Sequence, residues 1–446
     1  MKRFLAIGLA ISICLSLCAC AGSGKINANK AAVLIASPEY PDGIASGDNE
    51  ALSKYRNMNR VSTGGCDALT AFSYNTASPI LSTVEVNGCY SPLSLYYALA
   101  LAGTGSHGQT QKEIMSLLGG SDTAQLSQDM GNLYRLLYSD NEITKLKIAN
   151  SLWLDKEYQG VPVEYKDAFI KNAASMFYAS LFTVDFASED AGPAMAKWIS
   201  EETNGTLTPE FRPDPEQIMS ILNTVYFKDE WIDRFDTAAT APDIFHTAGG
   251  TDVTCDFMNM VNGSHAFVRG DGFLRSDLAL KSGAKMVFVL PDEGVSVESL
   301  VSDPARLKEV LEGGQFTNGK VTWKIPKFSY ESDYDLVDML KTLGLSSAFT
   351  SDADFTGISD QKPFISSVKQ QTHIAIDENG VEASAFTLIE YATAAMPVDE
   401  AEMILDRPFL YAIYSPSVTT VIEAGSTEEI ADGRLLFVGI CGNPAA

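Results

Sequence analysis

Positive charge is scarce in this chain. Its 32 Lys and Arg face 57 Asp and Glu, for a formal net charge of −25. Nucleic acid, anionic membrane surfaces and sulfated polysaccharides are gripped by clustered cations, so none is an expected partner, and no polyanion activator is expected. Histidine is scarcer still: His107, His246, His265 and His373 are the four present, and none falls in an HExxH or similar metal-binding spacing. Beyond residue 20 only Cys66, Cys89, Cys255 and Cys441 remain, scattered and without a CxxC pair. They read as buried thiols rather than as bridges or metal ligands. No apolar run after residue 20 is long enough to argue for a transmembrane helix. Residues 103–108, Gly-Thr-Gly-Ser-His-Gly, match neither the GxSxG elbow of a hydrolase nor a phosphate loop, and read as a helix-ending loop. With no nucleophile, base and orienting group in view, neither an enzyme, a metal nor a cofactor is expected.

What is present begins with the first twenty residues. Lys2 and Arg3 precede an apolar run from Phe4 to Leu17, and small residues follow. This is the layout of a secretory signal peptide over residues 1–19. Leu17, Ala19 and Cys20 also resemble a bacterial lipobox, in which Cys20 becomes the acylated N-terminus; Cys18, preceded by bulky Leu17, fits less well. The alternative is an ordinary signal peptide that contains cysteines. The expectation is a lipoprotein outside the cell, held on a bacterial membrane by its N-terminal lipid. Residues 20–50 are rich in Ala, Gly, Ser, Asn and Pro without clear periodicity, so they read as a flexible tether. No second linker or internal repeat follows, and residues 51–446 form one domain.

Within that domain, helical and strand signals alternate irregularly, which implies α+β rather than repeated βαβ units. Residues 286–290 are an apolar run stopped by Pro291-Asp-Glu-Gly294, a buried strand and a turn. Leu336, Met339, Leu340 and Leu343 share a helix face that Gly344 ends. The informative stretch lies near the C-terminus. Ile374-Ala-Ile376 alternates like a strand, and Glu378-Asn-Gly380 reads as a turn. Small residues then recur at every second position, Val381, Ala383, Ala385 and Thr387, while Glu382, Ser384, Phe386 and Leu388 take the other face. One face is smooth enough to slide into a packed sheet. A loop running from about 381 to 405 is uncommon unless it is functional, the alternative being an ordinary Ala-rich connector.

At this point the chain resembles the serpin family over nearly all of residues 62–446. Asn87-Gly-Cys-Tyr-Ser-Pro-Leu-Ser94 resembles the start of the family's helix B, and Thr203-Asn-Gly205 the end of its helix F. Leu222-Asn-Thr-Val-Tyr-Phe-Lys228, with Trp231 and Phe235, is similar to its third sheet-A strand and the breach above it. Ile325-Pro-Lys-Phe328, Tyr334-Asp-Leu336, Leu343-Gly344 and Asp354-Phe-Thr-Gly-Ile358 match another block. Asp377-Glu-Asn-Gly-Val-Glu-Ala383 resembles the hinge; Arg407-Pro-Phe-Leu410, Phe437-Val-Gly-Ile440 and Asn443-Pro444 resemble the closing strands. Two departures stand out. Gln370 occupies the place of a family His that bonds beside the residues matching Ser91, Ser94 and Asn223, and the hinge-to-Pro408 stretch is about three residues longer than usual when counted in strand register.

The resemblance implies a serpin fold of three β-sheets and eight or nine helices with an exposed reactive-centre loop. It also implies a monomeric suicide inhibitor of serine proteases. The protease forms an acyl-enzyme with the loop, which then inserts into sheet A and traps it. The implied hinge is Glu378, Gly380, Val381, Glu382, Ala383, Ser384 and Ala385. The shutter and breach are Ser91, Ser94, Asn223, Trp231 and Gln370. Family spacing from Glu378 places the scissile bond at Ala394–Ala395, with Thr393, Ala395 and Met396 as other scissile candidates. A small apolar side chain there suits elastase-like or subtilisin-like proteases. The rivals are a non-inhibitory serpin-fold binding protein and a hydrolase or solute-binding lipoprotein.

Overall fold

In the computed structural model, the described residues are 32–42, 49–158, 160–212, 215–382, 399–422, 426–431 and 433–446. They build an α+β domain with ten α-helices, three sheets of three or more strands, and a two-stranded ribbon. The signal peptide, Cys20, Ala383, Ser384, Ala385, Thr393, Ala394, Ala395 and Met396 lie outside the described residues.

The nine-stranded sheet runs, in spatial order, Glu400–Ile404, Thr317–Pro326, Asp252–Gly270, Phe273–Ala279, Lys285–Pro291, Phe409–Tyr414, Leu435–Cys441 and Asn87–Tyr90, with Ala241–His246 paired to Asp252–Gly270. Its central strands Phe409–Tyr414 and Leu435–Cys441 are buried at every position, which explains continuous apolar runs in place of alternation. The expected strand at residues 286–290 is among them. Glu400–Ile404 shortens the loop expected to reach residue 405. Its Ala401 and Met403 are buried while Glu400 and Glu402 face out, and it runs parallel to Thr317–Pro326.

The eight-stranded sheet runs Ala32–Ala36, Ala179–Val184, Lys145–Asp155, Met219–Glu230, Gly380–Val381, Ile365–Ile376 and Phe328–Asp335, with Ser139–Asp140 on Lys145–Asp155. Beneath it lies the helix Pro92–Thr104, opened by Pro92 and capped by Ser91 Oγ, which accepts from Ser94 N at 3.4 Å. Every residue of that helix from Pro92 to Gly103 is buried, as an apolar helix inside a core must be.

Two elements correct the reading of residues 20–50 as a structureless tether. Ala32–Ala36 is an antiparallel edge strand on Ala179–Val184. Its Val33, Leu34 and Ile35 are 53%, 45% and 40% exposed, so its burial does not alternate. Asn49–Met58 is a helix, which takes the count past the expected eight or nine. The four cysteines are free thiols, with Cys66, Cys89 and Cys441 buried and Cys255 half-buried.

Candidate functional site

The site is a seam between two strands of the eight-stranded sheet. Met219–Glu230 and Ile365–Ile376 run parallel and pair from Met219/Ile365 up to Thr224/Gln371. Above that point their direct pairing stops, although both strands continue. Gly380–Val381 sits in the parted end, antiparallel to both: Val381 pairs with Ile376 on one side and Asp229 on the other, and Gly380 pairs with Glu230. Between this plug and the paired lower half, residues 225–228 and 372–375 face one another without a ladder among the described residues.

Local chemistry explains why the chain turns there. Asp377 Oδ1 accepts from the backbone N–H of Asn379 at 2.7 Å and of Gly380 at 3.2 Å, an Asx-type turn. Gly380 is required by space: a Cβ there would meet Asp229 O at 2.1 Å and Glu230 Cα at 2.7 Å. Val381 is 1% exposed and points into the core, so it is inward already, before any further insertion.

Trp231 clamps the turn. Fully buried, it donates from its backbone N to Asn379 O and from Nε1 to Asp377 O, both at 2.9 Å. Phe235 stacks edge-on against it and donates its backbone N–H to Glu378 O at 3.0 Å. Glu378 is ion-paired with Lys327 at 3.0 Å and accepts from Thr240 Oγ1 at 2.8 Å. Burial alone would push its carboxyl up, but the hydrogen bonds and the Lys327 charge outweigh that and hold it below the usual glutamate value.

At the lower end, Gln370 grips the N-cap of the helix beneath. Its Oε1 accepts from Ser91 N at 2.9 Å and its Nε2 donates to Ser91 O at 2.8 Å. The amide thus fills the place of the expected His with one donor and one acceptor. Asn223 is the cross-strand neighbour of Gln370, but its Nδ2 donates to Asn150 Oδ1 at 2.5 Å. Asn150 was missed, although a lone Asn in the apolar strand Lys145–Asp155 was a usable signal. Ser94 Oγ, Ser220 Oγ, Asn223 Oδ1, Thr224 Oγ1 and Gln371 Oε1 have no hydrogen-bond partner among the described residues. All five lie on or under the seam, and each such group costs about 1–3 kcal/mol.

Glu382 gains a partner that the alternation alone does not show. It lies on the outer face as expected, but it is not free. Its Oε1 meets His373 Nδ1 at 2.5 Å, and the two side chains are 10% and 17% exposed. Its backbone N–H donates to Ala375 O at 3.0 Å, and its φ is +51°.

Comparison with known proteins agrees with this architecture. The family model described as Serpin (serine protease inhibitor) matches residues 67–429. The chain is 28% identical over 393 residues to Serpin-ZX of Arabidopsis thaliana, covering 82% of this chain and 95% of that protein. In structure it resembles tengpin, a thermophilic serpin, in its native state, with a TM-score of 0.72 and 23% identity over 93% of this chain and 100% of tengpin. It also resembles human thyroxine-binding globulin in complex with its hormone, with a TM-score of 0.73 and 23% identity over 85% of this chain and 99% of that one. The likeness spans a thyroxine-binding protein, so the fold alone does not make an inhibitor. A family match over most of the chain, a third strand started in a parted parallel seam, and a clamped turn leading to the loop together place this chain in the serpin family, a family of protease inhibitors rather than enzymes.

Proposed function

We propose that the chain is a monomeric suicide inhibitor of serine proteases that works by growing the strand begun at Gly380–Val381 down the seam. The observation that carries this reading is the plug itself, already antiparallel to both flanking strands. Continued in its register, the incoming strand sets Ala383 between Ile374 and Phe227, and Ala385 between Thr372 and Val225. Those four neighbours are buried, so small side chains are what the inner face accepts. The parted stretch takes the chain as far as Ala385 without breaking a ladder. Phe386 must then separate Gln371 from Thr224, and Thr387 must separate Gln370 from Asn223. The unpartnered polar atoms along that seam make the closed form costly and favour its opening. From Val381 to Ala394 the strand would span roughly 45 Å at about 3.3 Å per residue, far enough to carry an acylated protease away from the loop's resting end.

The proposed scissile bond is Ala394–Ala395, and its small side chains point to elastase-like or subtilisin-like targets. A large or basic scissile residue would instead be needed for chymotrypsin- or trypsin-type pockets. Incubation with pancreatic elastase and with subtilisin tests this directly. The expected result is an SDS-resistant complex and a C-terminal fragment beginning at Ala395. Cleavage without a complex would mark a non-inhibitory member. We further propose that Cys20 is acylated and holds the inhibitor on the outer face of a bacterial membrane, where two acyl chains suffice for stable anchoring. Cys20→Ser should then release soluble protein or leave unprocessed precursor. Wild-type protein found free, with an N-terminal peptide intact across residue 20, would refute the anchor.

A further inference from the structure

The contact between His373 and Glu382 sits at the mouth of the parted seam, where the described chain leaves the sheet. Glu382 is the last residue before the loop, and its φ of +51° lies in the left-handed region, where a side chain with a Cβ is disfavoured. A residue stays in that region only when its surroundings hold it there. Two contacts do so: the backbone bond to Ala375 O at 3.0 Å and the carboxylate–imidazole contact at 2.5 Å.

A second position awaits the same carboxylate. If Glu382 becomes extended, the register of Gly380–Val381 sets it directly opposite Lys228 on the Met219–Glu230 strand. Directly opposed residues share a sheet face. Lys228 is half-buried and has no ion-pair partner among the described residues. Its neighbour on the other side is another cation, Lys145, which is itself bonded to Asp140 at 3.2 Å. Like charges paired across strands repel, so an anion arriving at Lys228 is favoured.

We propose that Glu382 is a positioning residue for loop insertion: His373 holds its carboxylate while the loop is out, Lys228 receives it as the strand goes in, and the charge on His373 sets how fast the transfer occurs. This rests on the inhibitory reading above and identifies what governs its first step. A bond between carboxylate and imidazolium is stronger than one to neutral imidazole, so protonation of His373 retards release. The other groups facing His373 are Ser329, whose Oγ lies 3.2 Å from Nε2, and Glu331, its direct cross-strand neighbour. Gln371 and Lys369 precede it at alternate positions of its own strand. Tyr226 faces Glu382 from across the split; burial first, and then the Glu382 charge, push its phenol above the ordinary value. Among these side-chain types, imidazole is the one whose reference titration falls between pH 5.5 and 8.

The test uses the full chain with its loop nicked by an excess of a metalloprotease, which forms no acyl-enzyme. Mass spectrometry times the cut, and tryptophan fluorescence, dominated near the hinge by Trp231, times insertion. The wild type should insert about fivefold more slowly at pH 5.5 than at pH 8. His373→Gln and Glu382→Gln should insert at nearly pH-independent rates. Lys228→Met should be slower at every pH while keeping the wild-type slope. A wild-type pH slope that survives in His373→Gln or Glu382→Gln overturns the proposal and leaves the inhibitory reading standing. If nicking raises neither the melting temperature nor the fluorescence signal of the wild type, insertion itself is absent and both readings fall.

Discussion

The two halves of one seam behave differently. Below, Met219–Thr224 and Ile365–Gln371 are paired in parallel, and Gln370 ties the seam to the helix beneath through Ser91. Above, the same two strands part and, among the described residues, are held open by Gly380 and Val381. Parallel pairing is the weaker kind of ladder, and an antiparallel strand can replace it while satisfying both neighbours. On the proposed inhibitory reading, the difference makes the upper half a started reaction and the lower half its barrier. Substitutions in the plug should therefore change whether insertion begins, and substitutions at Gln370 how far it runs.

The largest effect should come from the plug. Val381 is 1% exposed in the resting protein, so Val381→Arg has to bury an unpaired charge or leave the sheet. Burying it costs at least several kcal/mol. The moles of inhibitor consumed per mole of protease silenced should rise by about tenfold or more.

Gly380→Ala should come next. The added Cβ would lie 2.1 Å from Asp229 O, and overpacking of this kind costs about 1–3 kcal/mol. The upper half should lose its plug, seen as a lower melting temperature and easier cleavage at Gly380–Val381 under limited proteolysis.

In the lower half, Gln370→Ala removes two hydrogen bonds and leaves the Ser91 N–H unpaired, while Ser91 O keeps the bond from Leu95 N at 3.4 Å. It should lower unfolding stability by about 2–3 kcal/mol and speed insertion after loop cleavage. Urea midpoints and the fluorescence assay report the two effects separately. Gln370→His, by contrast, should retain part of the seam.

The smallest effect concerns Glu378. Its carboxyl is held below the ordinary glutamate value in the folded protein. Its contribution to stability is therefore complete above the unfolded-state pKa and is lost as pH falls through the lowered folded-state value. Melting temperatures between pH 6 and pH 3 should fall less steeply for Glu378→Gln than for the wild type.

Much of this contrast was legible in the sequence. The small-residue alternation after Gly380 and the buried run at residues 286–290 are local patterns, and the helix start at Ser91-Pro92 came from the family resemblance; the structure realises the last two directly. The rest depends on partners distant in the chain. Ala32–Ala36 is a strand only because Ala179–Val184 offers it an edge. Glu400–Ile404 was hidden because its alternation covers just five residues at the end of a long loop. Asn150 and His373 act through Asn223 and Glu382, and such pairings follow from strand register, which a single sequence does not display.

Amide hydrogen exchange on the intact and the loop-nicked protein tests the central claim most directly. In the intact protein, amides of residues 225–228 and 372–375 that face the split should exchange quickly, while those of residues 219–224 and 365–371 are protected. After nicking, the first set should become as protected as the second, because a new strand lies between them. Unchanged exchange at residues 225–228 and 372–375 after complete cleavage would contradict growth of the strand begun at Gly380–Val381.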